Sequence, residues 1–166
     1  ASHSLWDTTR GPGQYIETNA SSPRSVGTNG LTEFTSSGWM AGGELTTNYS
    51  GRGYAGYHFI RKPGFFDMQF YNGTNSGATY VYHDLGVMPG WILQKNLDSS
   101  YAWRVWTNGL NQGTLLELND QGAAFKDGAI GAVNAQSFVV DGNGNDLGEY
   151  VAYIFGGSET SNNIKA

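Results

Sequence analysis

The chain repeats part of itself, and this constrains its fold more than any other feature. Trp6, Gly13, Glu17 and Asn19 recur as Trp106, Gly113, Glu117 and Asn119 at a constant offset of 100, and Ile16 meets Leu116. Gly38-Trp39-Met40 lies near Ser137-Phe138-Val139, and Tyr54-Ala-Gly-Tyr57-His-Phe59 meets Tyr150-Val-Ala-Tyr153-Ile-Phe155 at an offset of 96. A drift of a few residues is what changes in loop length produce along a repeated strand path. Each copy reads as a Trp strand, a glycine turn, an apolar strand ending in Asn, a middle strand and an aromatic strand. In that last strand Tyr57 and Phe59 stand two apart and share a face, as do Tyr153 and Phe155. The strands between Phe65 and Ala102 have no counterpart ahead of the first copy. The reading is therefore an incomplete first repeat (1–62), a second repeat (63–157) and a polar C-terminal tail (158–166). Either a longer precursor or another subunit would supply the missing half. The two copies should superpose, with Trp6 over Trp106 and Tyr57 over Tyr153.

The 166 residues suit one domain or one and a half small ones. Charged residues are 14%, aromatics 14%, and glycine takes 25 positions, which fits a turn-rich β protein with an Asn, Ser, Thr and Gly surface. Candidate strands are Gln14 to Glu17, Thr32 to Phe34, Trp39 to Ala41, Tyr54 to Ile60, Phe65 to Tyr71, Ala78 to Tyr82, Trp91 to Lys95, Ala102 to Trp106, Leu115 to Leu118, Ser137 to Val140 and Tyr150 to Phe155. Phe65 to Tyr71 and Ala78 to Tyr82 read as a hairpin around Asn72–Gly77. The best helical stretch, Ala123 to Ala135, is interrupted by Gly128 and Gly131. The expectation is an all-β, antiparallel β-sandwich or jelly-roll-like fold with an internal half-repeat and less than roughly a tenth helix.

Composition also removes function classes. Nine basic against fourteen acidic residues give a net charge of −5, and the densest basic pair is Arg61-Lys62, so no stripe exists to neutralise phosphates and no nucleic-acid partner is expected. Without cysteine there is no disulfide, thiolate site or cysteine nucleophile. No apolar run approaches the roughly 20 residues a membrane helix needs, so no membrane insertion is expected. His3, His58 and His83 are too dispersed for a metal site, and His58 reads as a half-buried strand residue. His83-Asp84 reads as a strand end entering a turn, because no motif marks a nucleophile for it. Carboxylates from Asp7 to Glu149 could include a glycosidase pair, but any β-sandwich scatters such residues over its loops. Asp141-Gly-Asn143-Gly-Asn145-Asp146 resembles the start of a calcium loop, yet Ala152 stands where an EF-hand places its bidentate Glu, so a Gly/Asn turn is the preferred reading. The acceptor patterns at Asn19, Asn48 and Asn72 are coincidences of an Asn/Ser/Thr-rich surface. The chain is thus expected to be no enzyme, with no catalytic residues, no metal and no cofactor.

The aromatics exceed what a small core needs. Trp6 and Trp106, Tyr57 and Tyr153 are core by repeat matching, and Trp39 and Trp103 are the candidates for an exposed ligand-stacking or interface position. The first copy carries Trp6, Tyr15, Ile16, Phe34, Trp39, Tyr54, Tyr57 and Phe59, too much apolar surface to leave wet. Covering it calls for a neighbouring chain, hence a homo-oligomer.

At His3–Gly11, Gly30–Gly38, Tyr82–Pro89 leading into Trp91–Lys95, and Glu149–Phe155, the sequence resembles a family of tandem-repeat structural and tail-fibre (host-specificity) proteins of marine phages. Chains of that family carry more copies in one polypeptide, and no catalytic residues carry over from it. The resemblance implies a non-enzymatic structural or adhesive module at the virion surface, part of a tail fibre or appendage. Its partners would be itself, other virion proteins and a host-surface glycan. A capsid-decorating protein, or a secreted carbohydrate-binding or polysaccharide-degrading module, is the alternative.

Overall fold

Period-two alternation sorts the apolar side chains onto two faces of one sheet, and each face is covered by a different smaller sheet. This emerges from a computed structural model that describes residues 2–111 and 113–157; the C-terminal tail at 158–166 lies outside the described residues. In chain order the strands are β1 (Ser4–Leu5), β2 (Gln14–Glu17), β3 (Ser25–Val26), β4 (Leu31–Thr35), β5 (Gly38–Ala41), β6 (Phe66–Gly73), β7 (Thr79–Tyr82), β8 (Pro89–Asn96), β9 (Arg104–Thr107), β10 (Thr114–Glu117), β11 (Phe125–Lys126), β12 (Ile130–Val133), β13 (Ser137–Val140) and β14 (Gly148–Gly156). Every pairing between them is antiparallel. The described residues hold no α-helix, only one 3-10 turn at Gly142–Gly144.

The central sheet runs β11-β10-β9-β8-β14-β6. One face presents Ile92, Trp106, Leu115, Ala152 and Ile154 to Val81, Ile130, Phe138 and Val140 of the sheet β12-β13-β7. This is the sandwich core, and its two layers are the alternating faces the sequence predicts. The other face presents Phe66, Met68, Leu93, Val105, Val151 and Tyr153 to Ile16 and Leu5 of the sheet β1-β2-β3. Each fully buried large aliphatic here contributes about 1.5–3 kcal/mol.

The half-repeat holds at the level of strand register. Ser4 pairs with Glu17 and Leu5 with Ile16; 100 residues on, Arg104 pairs with Glu117 and Val105 with Leu116. Gln14–Val26 and Tyr15–Ser25 recur as Thr114–Lys126 and Leu115–Phe125. At an offset of 99, Leu31–Ala41 and Phe34–Trp39 recur as Ile130–Val140 and Val133–Phe138, each pair of strands with its register shift at the same place. The shared Asn closes the first hairpin of each copy: Asn19 Oδ1 accepts the His3 N–H at 2.8 Å, and Asn119 Oδ1 accepts the Trp103 N–H at 2.8 Å. The shared Gly13 and Gly113 carbonyls accept the N–H groups of Gly27 and Asp127, at 3.0 and 3.1 Å. Trp6 follows β1, half-buried and 5.6 Å from the Tyr15 ring, whereas its counterpart Trp106 lies within β9 and is buried. A Cβ on Gly30 would lie 3.0 Å from the Trp6 ring, so glycine there makes room for the indole.

Two expectations need correction. The segment Tyr54 to Ile60 is not a strand; it is exposed throughout, with Tyr57 at 85% against 5% for Tyr153. Tyr153 lies in β14, which is hydrogen-bonded between β6 and β8, and among the described residues the first copy has no such strands to pair with. Tyr57 therefore does not share the setting of Tyr153. The hairpin expected around Asn72–Gly77 does not form either. β6 pairs with β14 and β7 with β13, so the loop arches from one sheet to the other. Asn145 holds that arch, donating from Nδ2 to Thr74 Oγ1, Gly77 O and Thr79 Oγ1 and accepting the Thr74 N–H. The stretch Ala123 to Ala135, interrupted by Gly128 and Gly131, holds the short strands β11 and β12.

Candidate interaction surface

Two surfaces carry the aromatic residues, one buried and one open. The buried one joins β1-β2-β3 to the central sheet. Trp103 precedes β9 and is wholly buried, stacked 6.2 Å from Tyr153, with its indole N–H donating to Glu17 O at 2.9 Å. Beside it, Asp7 and Arg10 form an ion pair at 2.7 Å with side chains almost fully shielded from water. Asp7 Oδ1 accepts the N–H groups of Thr9 and Arg10, which fixes the turn after Trp6. The Tyr153 hydroxyl donates to Asp7 Oδ2 at 2.8 Å and accepts from Arg10 Nη2 at 3.0 Å. Burial first, then the Asp7 charge, raise the Tyr153 pKa well above the ordinary phenol value, against the opposing pull of Arg10, so the hydroxyl keeps its proton. At the rim Arg24 bridges Asp98 and Glu149, and its N–H donates to Leu97 O.

Trp103 is therefore a packing anchor inside the molecule and offers no face to a ligand. It is buried because the Ile16 side of the first copy lies on it, a contact 86 residues away in sequence. Trp39 is different. It lies on β5, is 38% exposed, and donates from its indole N–H to His58 Nε2, their rings 5.6 Å apart. His58 is thus an exposed partner of Trp39 rather than a half-buried strand residue. Met40, Tyr54, Tyr57, Phe59 and Ile60 are exposed as well, so the first copy keeps much apolar surface in contact with solvent. Phe59 closes this set against the second copy, with its ring 5.2 Å from Phe155 and 5.6 Å from Phe66. On the opposite sheet, the edge strand β7 shows Tyr80 and Tyr82, 62% and 70% exposed, with stacked rings 6.4 Å apart. Sequence reasoning did not single out this pair; their alternation with buried Val81 was its only signal.

The polar groups are spent on structure. Asp141 Oδ1 caps the 3-10 turn by accepting the Gly142 N–H at 2.7 Å, Asn143 donates to Asp127 at 2.9 Å, and Asn145 holds the arch. The Asp141–Asp146 loop is accordingly a turn, and among the described residues no cluster of three His, Cys, Asp or Glu could hold a metal. The His83 ring is hydrogen-bonded to Asn134 O through Nε2 and to the Leu85 N–H through Nδ1, so it serves the turn after β7. A shallow depression lies between Glu117, Asp120, Gly122, Ala123 and Phe125, but Glu117 is ion-paired with Arg104. Asp67 ties the start of β6 to the turn after β7. Burial pushes its carboxyl pKa up, but hydrogen bonds from the Asp84 N–H, Gln69 and the Met68 N–H, with the Arg61 charge, outweigh that and hold it below the usual value.

Lys95 on β8 is wholly buried, and its ammonium donates to the carbonyls of Asn96 and Ser99. Burial lowers its pKa to about 8. The unfolded chain, with lysine near 10.4, binds more protons between these values, so stability should rise with pH there. The buried hydroxyls of Tyr71 and Tyr153, raised well above 10, ionise later than in the unfolded chain, so stability should fall again above about pH 10. Urea unfolding should show a gain of about 1–2 kcal/mol between pH 7.5 and 9.5. Lys95→Met should abolish that gain, and a gain that persists in the variant would assign it to another group.

Against known proteins, a family model described as a domain of unknown function (DUF7483) matches residues 60–161, a stretch that takes in β6 to β14. No curated protein and no solved structure matches the chain.

Proposed function

We propose that this chain, which belongs to the DUF7483 family, is a non-enzymatic structural and adhesive module of a virus particle, part of a tail fibre or similar appendage. The observation that carries the reading is the way copies stack. The first copy lays its Leu5 and Ile16 face on the central sheet of the second, locked by Trp103 and by Asp7, Arg10 and Tyr153, while Trp39, Met40, Tyr54 and Tyr57 stay open. Repeats that bury one face against a neighbour and keep another open suit an extended assembly. The polar side chains support a structural role, since the buried ones serve turns, caps and ion pairs. In this reading the partners are other copies and other virion proteins, and the surface meets a host glycan. Mass spectrometry and antibody labelling of purified particles should find the protein on an appendage. Its absence from particles, with free protein in the medium, would contradict the proposal.

One feature favours a second reading, a carbohydrate-binding surface outside any particle. Tyr80 and Tyr82 stand side by side and exposed on an edge strand, as sugar-stacking rings do. Chemical-shift perturbation by oligosaccharides, lost in Tyr80→Ala/Tyr82→Ala, would support that reading; particle association would still separate the two.

A further inference from the structure

A sheet edge without charge, proline or bulge is a template for another strand, and the edges of this molecule differ in how they are closed. On the outer side of β6, the Lys62 N–H donates to Phe66 O at 2.9 Å and the Arg61 guanidinium donates to Met68 O. β1, β3 and β11 are two residues long, and the pairs β4-β5 and β12-β13 carry register shifts. β7 has none of these protections. It is an edge strand among the described residues, it reads Thr-Tyr-Val-Tyr, and it pairs with β13 in unbroken register.

The register says which backbone groups face outward. The His83 N–H donates to Gln136 O at 2.9 Å, in the same ladder that sets Val81 opposite Phe138 and Thr79 opposite Val140. Alternation along an antiparallel ladder then turns the N–H and C=O groups of Val81 and Thr79 toward β13, and those of Tyr80 and Tyr82 toward the open edge. The open stretch is short. The next outward N–H, that of Asp84, donates to Asp67 Oδ2 at 2.9 Å, and ahead of the strand the Gly77 carbonyl accepts from Asn145.

We propose that this edge pairs with itself: two copies of the chain join β7 to β7, antiparallel, about a two-fold axis at Val81. Tyr80 of each copy then lies opposite Tyr82 of the other, and every outward N–H and C=O group of these tyrosines finds a partner. The two sheets β12-β13-β7 become one six-stranded sheet, as wide as the central sheet. The strand itself selects a second copy over an unlike partner. Tyr-Val-Tyr reads the same from either side of Val81, so both halves make equal contacts. β7 carries no charge, so copies with a net charge of −5 meet there without like charges opposed, and Asp84 falls beyond the pair, opposite Ala78. Tyrosines set across from each other on one face are a favourable cross-strand pair. Because the edge is closed at both ends, the contact is isologous and stops at the dimer. So small a contact makes a weak dimer, with a Kd of about 0.1–1 mM. The proposal rests on strand pairing alone and is independent of the virion reading.

Sedimentation of the intact chain and isotope-filtered NMR of mixed labelled and unlabelled chains test it. A monomer–dimer equilibrium should appear as the concentration rises to about 1 mM. The filtered spectrum should show Val81 Hα against Val81 Hα of the other chain, the close approach of a non-hydrogen-bonded pair. Tyr80→Lys/Tyr82→Lys sets like charges opposite each other and should weaken the dimer by about tenfold or more. Tyr82→Pro removes an outward N–H while sparing the ladder to β13, and should weaken it as well. Trp39→Ala, at the other open aromatic surface, should leave it unchanged. A chain still monomeric at about 1 mM would overturn the proposal. So would interchain contacts at Trp39 and Tyr57 in place of Val81, or a dimer that folded β7 variants leave as strong. The filtered spectrum uses the unaltered chain, so it decides the matter even where a variant fails to fold.

Discussion

Trp103→Ala should destabilise the chain by about 3–5 kcal/mol, the range for removing a large buried aromatic. The indole is wholly buried, fills the space beside Tyr153 and Ile16, and donates to Glu17 O. Its loss leaves a cavity between two sheets and a carbonyl without its donor. The effect should be directional. Exchange protection should fall first in β1 and β2, which only this layer holds, while β8 and β14 keep the sandwich core on their other face. Urea unfolding with hydrogen exchange measures both. A loss below about 1 kcal/mol would mean that Trp103 is not the anchor.

Asp7→Ala should cost a similar amount, about 3–5 kcal/mol, because it leaves the shielded Arg10 guanidinium without its counter-charge. It also frees the Tyr153 hydroxyl and removes the acceptor for the Thr9 and Arg10 N–H groups. The Asp7→Leu/Arg10→Met double variant should recover most of the loss, since an apolar pair of similar volume replaces a buried ion pair at little cost. A double variant no more stable than Asp7→Ala would place the contribution in the turn rather than in the charge pair.

Much of this architecture is legible in the residues, for reasons the structure makes plain. Gly13/Gly113 and Asn19/Asn119 repeat because each does the same local job in its copy: a turn carbonyl, and closure of a hairpin end. β2 and β13 begin and end where alternation places them. β1, β3 and β11 are two residues each, too short to leave a periodic signal, and they exist because neighbouring strands hold them. The arch between β6 and β7 looks like a hairpin because turn residues alone do not say whether the two strands share a sheet; the Asn145 side chain, more than 60 residues on, decides it. Tyr54 to Ile60 has the composition of a strand and no partner, so composition misleads there. Trp103 and Trp39 look alike in sequence and differ in setting because what covers each one is remote: Ile16 and Glu17 lie over Trp103, and nothing equivalent to β7 lies over Trp39.

The central claim is that β1 to β5 repeat β9 to β13 in register, and backbone NMR of the intact chain tests it most directly. Interstrand contacts should connect Leu5 with Ile16, Tyr15 with Ser25 and Phe34 with Trp39, and likewise Val105 with Leu116, Leu115 with Phe125 and Val133 with Phe138. A first copy whose contacts are slipped by a single residue would turn its inner face outward and contradict the account.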